Sequence, residues 1–268
     1  MENYNKETNT LRIFYQHREL INIPEETKII IFDNNEYNYF VCEVDIYTKY
    51  IFPKNLSEII FHGCFNQKID NLPNTLTHLT FYYAFNKKVN NLPKNLTLLS
   101  MGQHYNQKVD KLPKNLTHLF FGTNFNQKID KFPKNLISLA FGINYNQKIN
   151  KFPKNLTHLT FGWKFNQKVD NLPKNLINLI FGSNFNQKIN NLPKTIKYLS
   201  LWCINNLINN IPEHIEIIKI HFHNDEKINK KVDNLPLTIK EIIINHESFK
   251  KYIKIPFGCI LTIENLNN

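Results

Sequence analysis

The sequence predicts a mostly β solenoid: about eleven stacked rungs, a parallel sheet on one face, and an extended or 3-10 return side. Three observations carry that expectation. Proline recurs at Pro53, Pro73, Pro93, Pro113, Pro133, Pro153, Pro173 and Pro193, a strict period of 20 residues, and a fixed period of this kind marks stacked repeats. Each cycle places apolar residues at three fixed offsets after its proline, as in Leu76, Leu79 and Phe81; the last two alternate with outward residues, as in a strand with one buried face. Finally, 20 residues leave no room for a strand, a full helix and two turns, so the return side must be extended or tightly turned.

In chain order, residues 1–52 form an N-terminal cap. Residues 1–23 are irregular, and Pro24, Thr27, Ile30 and Phe32 match the repeat offsets as one degenerate rung before a longer insertion. A stack of strands exposes an unsatisfied edge at each end, so atypical terminal rungs are expected. Residues 53–192 are seven regular repeats. Each opens on a proline, whose missing N–H costs no ladder bond just before a strand. The strand follows, with Leu79, Phe81, Phe121 and their equivalents inward. A turn comes next, marked by Gly in most cycles and then by an aromatic-Asn pair such as Phe125-Asn126. Residues 193–268 are irregular rungs and a C-terminal cap. Ile218 with Ile220, and Ile242 with Ile244, keep the inward offsets, and Ile260 with Ile263 suggest a shifted last strand. The three segments form one continuous solenoid domain.

The net charge is +11; aromatics make up 13% of residues, and that aromatic content excludes a disordered chain. Four cysteines, Cys42, Cys64, Cys203 and Cys259, show no metal-ligand spacing, so reduced thiols in an intracellular, cytoplasmic protein are expected. No apolar run reaches the ~18 residues of a membrane span, and the polar N-terminus lacks a signal-peptide core. No membrane partner and a monomeric state are expected.

The pattern LPxxLxxLxF is a short leucine-rich-repeat pattern. The finer signature, FNQKIDNLPKNLTHLTFG, resembles the FNIP repeat, a leucine-rich-repeat relative of amoebae and large DNA viruses. FNQK or YNQK occurs in six of the seven regular rungs, and FNKK at Phe85–Lys88. The resemblance implies a leucine-rich-repeat-like binding scaffold. Members often carry an N-terminal F-box, which would imply an adaptor recruiting substrates to a ubiquitin ligase. Residues 1–23 are too short and polar for that helical module, so only the binding repeats carry over.

Four residue sets are candidates for function. Asn66, Asn86, Asn106, Asn126, Asn146, Asn166 and Asn186 form a column expected to be a structural ladder, because stacked amides can bond one another and the loop backbone. The adjoining aromatics, such as Phe65 and Tyr105, are expected as a core stack rather than a platform for nucleobases. Lys68, Lys88, Lys108, Lys128, Lys148, Lys168 and Lys188 form a second column. Like charges ~5 Å apart repel by roughly 0.8 kcal/mol in water, so this column either binds a polyanion such as nucleic acid or is a solvated ridge. The outward strand and turn positions differ most between rungs. There His78, His118, Phe120, His158, Trp163, Ile180, Tyr198 and Trp202 offer the large side chains that dominate protein interfaces.

His78, His118 and His158 recur two rungs apart, roughly 10 Å, too far to share a metal. His221 and His223 near Asp225 lack a third ligand. No catalytic residue, metal or cofactor is assigned, because no GxSxG, P-loop, GxGxxG or HExxH pattern occurs. The expected function is therefore a non-catalytic protein-binding scaffold whose partner is unidentified. Polyanion binding ranks second, and the ubiquitin-ligase adaptor is more distant.

Overall fold

The computed structural model describes residues 3–15, 22–33, 50–201, 210–222 and 231–264. The chain divides into two compact units, Met1–Leu136 and Ile137–Asn268.

The first unit carries, among the described residues, β1 (Tyr4–Asn5), β2 (Thr10–Phe14), β3 (Ile29–Asp33), β4 (Glu58–Phe61), β5 (His78–Phe81), β6 (Leu98–Ser100) and β7 (His118–Phe120). β1 and β2 form an antiparallel hairpin, and every later neighbour is parallel. Register follows the repeat: Ile59 lies beside Leu79, and Leu79 beside Leu99. A one-residue slip would turn the inward column to solvent, so the alternation fixes the register. Ile59, Leu79, Leu99 and Leu119 are fully buried. β2 lies in the stretch expected to be irregular. Its TLRIF alternation buries Leu11 and Ile13, but no proline announces it and five residues are a weak periodic signal. Asn9, at φ 51°, makes the left-handed turn into it, a conformation Asn tolerates.

The second unit carries β8 (Ser138–Ala140), β9 (His158–Thr160), β10 (Asn178–Ile180), β11 (Tyr198–Leu201), β12 (Ile217–Ile220), β13 (Glu241–Ile244) and β14 (Ile260–Ile263). All are parallel, with Leu139, Leu159, Leu179 and Leu199 in one buried row. β14 is the shifted last strand: Ile260, four residues after Pro256, pairs with Glu241, five after Pro236. A 3-10 helix, Glu247–Tyr252, lies between β13 and β14 and buries Phe249 against Phe222.

Each rung turns on its proline. In Pro113-Lys114-Asn115-Leu116 the Leu116 N–H donates to the Pro113 carbonyl, a single tight turn repeated at Leu76, Leu96, Leu156 and Leu176. The return side is otherwise irregular, as the length of the cycle requires.

The core is an aromatic double stack. Within a rung, Phe81 and Phe85 lie 3.8 Å apart, as do Phe121 and Phe125. Between rungs, Phe65, Phe85, Tyr105 and Phe125 stack at 5.9–6.1 Å. The second unit repeats this with Phe161 on Phe165 and Phe181 on Phe185. These rings are buried, so the aromatic column is core and offers no face to a nucleobase. Backbones approach closely at the glycines: a Cβ on Gly162 would lie 2.1 Å from the Gly142 carbonyl oxygen. Any side chain there would force the rungs apart.

Candidate functional site

The outward face of the first unit is built from two columns. Register puts Glu58, His78, Leu98 and His118 in one, and Ile60, Thr80, Ser100 and Phe120 in the other. The histidines are oriented rather than loose. Thr77 Oγ1 donates to the Ser57 carbonyl at 3.1 Å and lies 2.9 Å from His78 Nδ1. Thr117 does the same between the Thr97 carbonyl and His118. With the hydroxyl proton spent on the carbonyl, His Nδ1–H donates to the threonine, and Nε2 is left as an acceptor. Phe120 is half-buried. It is thus less exposed than its outward position suggested.

The largest exposed rings of this unit lie one step further along. His62 stacks on Tyr82 at 4.1 Å, Tyr83 packs against His104 at 4.6 Å, and both tyrosines are 52% exposed. The candidate set omitted this cluster. The available signal was Tyr82, standing where Gly102, Gly122 and Gly142 stand in later cycles.

In the second unit His158, Asn178 and Tyr198 share one outward column, and Thr160, Ile180 and Ser200 the other. His158 is exposed and its Nδ1 lies 2.8 Å from Thr157 Oγ1. Trp163, in the turn after β9, is 44% exposed, whereas Ile180 and Tyr198 are half-buried. Ser200 takes an outward position by alternation, yet it is buried. Tyr198 hydrogen-bonds Ser200, and its phenol is pushed up chiefly by burial and then by Glu264. The face over β11–β14 is tied by polar links, with Lys219 paired to Glu264 and Thr262 donating to Glu241 at 2.6 Å. Trp202 lies outside the described residues.

The return side carries the other two columns. Asn66 Oδ1 accepts the Asn86 N–H at 2.9 Å, and Asn86 Oδ1 accepts both the Asn106 N–H and Gln107 Nε2. Asn106 takes Asn126 N–H and Gln127; Asn146 takes Asn166 N–H and Gln167; Asn166 takes Asn186 N–H and Gln187. The ladder therefore runs from side-chain carbonyl to the next backbone N–H, with glutamine as a second strap. Lys68, Lys88, Lys108, Lys128, Lys148, Lys168 and Lys188 are all exposed, and Lys128 pairs with the exposed Asp130 at 3.2 Å.

Among the described residues no group of three or more His, Cys, Asp or Glu could hold a metal, and no helix is long and apolar enough to cross a membrane. His221 is buried, while His223 and Asp225 lie outside the described residues. The expectation of uniformly reduced thiols is corrected at Cys64, which is disulfide-bonded, whereas Cys259 is free. Motif spacing could not show this, since a disulfide requires a spatial fit that a linear pattern does not carry.

No curated protein matches the chain. Solved structures do. CroV588, described as a novel circular LRR protein, superposes with a TM-score of 0.68 at 28% identity over 95% of this chain and 43% of its own. This chain thus spans less than half of that relative's length. YopM from Yersinia enterocolitica WA-314 superposes at TM-score 0.52 and 15% identity, over 92% of this chain and 57% of its own, a likeness of fold alone. Both neighbours carry the leucine-rich-repeat fold that the rungs display. The FNIP Repeat model matches seven times, at residues 45–83, 65–104, 85–124, 105–142, 125–162, 145–171 and 165–203. These matches overlap across more than half of the chain and fall on the turns whose rings and Asn carbonyls form the stack and ladder, so the chain belongs to the FNIP repeat family.

Proposed function

We propose that this protein is a non-catalytic protein-binding scaffold that engages its partner through the outward faces of its parallel sheets. One observation carries the proposal. Rungs that are nearly copies inside differ on the outward strand and turn positions, and large rings are exposed there: Tyr82 and Tyr83 in the first unit, Trp163 in the second. Exposed aromatics on a rigid sheet are the usual anchors of protein interfaces. Oriented imidazoles at His78, His118 and His158 add acceptors of fixed direction. The leucine-rich-repeat fold, commonly used for protein interaction, supports the same reading.

The test is affinity capture from the source cell with mass spectrometry, repeated with variants. Replacing Tyr83 or Trp163 with Ala should weaken capture of a specific protein by about tenfold or more each, the cost of losing an interface anchor. A series of Lys→Gln changes at Lys108, Lys128, Lys148 and Lys168 should alter mainly the association rate and its salt dependence. Capture abolished by the lysine series and indifferent to the aromatic variants would replace this proposal with a polyanion-binding ridge.

A further inference from the structure

In one FNQK turn, two departures from the repeat coincide. The third residue is Gln in the other regular cycles, and its amide straps the Asn one rung earlier, as Gln107 does to Asn86 at 3.2 Å. In the cycle that opens at Phe85 it is Lys87. The sixth residue is Asp70, Asp110, Asp130 or Asp170 in four cycles, but here it is Asn90. Asn150 and Asn190 show the second change elsewhere, yet only beside an intact Gln147 or Gln187. Each change adds one positive charge relative to the template, and only this rung has both.

A cleft of about 490 Å³ lies at that place, and Lys87 and Asn90 both line it. Lys68 and Lys88 also line it, and Asp70 is the single acidic residue among the lining residues. Three lysines and one aspartate leave an excess of two positive charges. In this unit Lys128 of the same column pairs with Asp130 at 3.2 Å. The remaining lining groups, Asn86, Asn90 and Gln107, are amides. The Asn86 carbonyl already accepts two hydrogen bonds, so its NH₂ is what remains to offer a ligand.

We propose that this cleft binds a small molecule carrying two or more adjacent phosphate groups, held by Lys68, Lys87 and Lys88 and bounded by the amide donors. Its volume falls in the range of small-ligand pockets, roughly 300–1,000 Å³. Flexible ammoniums suit phosphates as point charges. Among the regular cycles only this one places two adjacent lysines, Lys87 and Lys88, in its turn, which favours a compact ligand over a nucleic-acid strand lying along the ridge. This inference concerns the return side and does not rest on the sheet-face proposal.

The experiment is isothermal titration of the full chain with inorganic tripolyphosphate, and separately with a nucleoside diphosphate, to tell a bare phosphate chain from one carried on a nucleoside. Saturable one-to-one binding of either probe is expected. Lys87→Gln should weaken it by about tenfold, the worth of one charge-assisted contact. That variant restores the template and the amide strap, so its melting temperature should equal or exceed that of the parent. Asn90→Asp, which restores the template carboxylate, should weaken binding similarly and keeps the test decisive if Lys87→Gln folds poorly. Lys168→Gln, on the same column in the second unit, should leave binding within about twofold. Equal weakening by Lys168→Gln would overturn the site in favour of a diffuse ridge. So would absence of binding by both probes, or binding of a single-stranded DNA oligomer alone.

Discussion

Tyr105 occupies a place in the ring column where Phe65, Phe85 and Phe125 stand in neighbouring rungs. Its ring stacks at 5.9 Å on Phe85 and 6.1 Å on Phe125, but its hydroxyl is buried without a hydrogen-bond partner. Burial, with a smaller contribution from Asp110, pushes the phenol pKa well above its ordinary value, so the group stays neutral. An orphaned buried hydroxyl costs stability whereas the ring does not. Tyr105→Phe should therefore raise stability by about 1 kcal/mol, read as a rise in melting temperature; a clear fall would mean the hydroxyl has a partner. The inward columns were legible at this scale because alternation and burial coincide, as at Leu79 and Phe81. Outward exposure was less so. Phe120, Ile180 and Ser200 alternate correctly, yet the first two are half-buried and Ser200 is buried, and neighbours across a sheet are invisible in a linear pattern.

At the scale of the element, each rung is bonded to the next through groups about 20 residues apart. Threonine hydroxyls cap upstream carbonyls before the strands, and asparagine carbonyls hold the next backbone after the turns. Where the repeat decays, ion pairs replace them. Glu216, before β12, binds Lys197 at 2.6 Å and Lys240 at 2.7 Å and so joins three successive rungs. Those two hydrogen bonds, Lys197 first, hold its carboxyl at about 2, below the ordinary 4.5. A depressed carboxylate contributes stability that is fully present above about pH 4.5 and is lost as pH falls through about 2. Glu216→Gln should flatten the fall of melting temperature across that window, most visibly at low ionic strength because these groups are solvent-accessible. Identical slopes for parent and variant would show that the latch contributes nothing. The sequence revealed the regular strands through their prolines. It hid β2, the Glu247–Tyr252 turn of 3-10 helix and the Cys64 disulfide, because none of these repeats.

For the whole molecule, the 20-residue period made the fold class readable and left the partner unreadable, since the period constrains only groups that face the neighbouring rung. The positive balance of +11 is carried largely on the exposed lysine columns, and such a balance serves solubility as readily as binding. Its sign alone therefore identifies no ligand. The candidate polyphosphate cleft became visible only when Lys87 and Asn90 were placed on the same wall.

The regularity of the bonds has a consequence for how such a chain can change length. Every strap in the regular part reaches a chemically equivalent group one period away, so size is a quantised variable whose step is one cycle. Excising Pro93 to Leu112 from the first unit would set Phe81 against Phe121, the Thr77 carbonyl before the Thr117 hydroxyl, and the Asn86 carbonyl before the Asn126 N–H. Each new pair repeats a pair the protein already contains. The shortened chain should fold with the same circular-dichroism signature per residue and a modestly lower melting temperature. Excising half a period should abolish folding, because a turn segment would then stand where the neighbouring rung needs a strand. A gene built of near-identical cycles that lost or duplicated one whole cycle would thus still encode a foldable protein, with its outward face shortened or extended by one row.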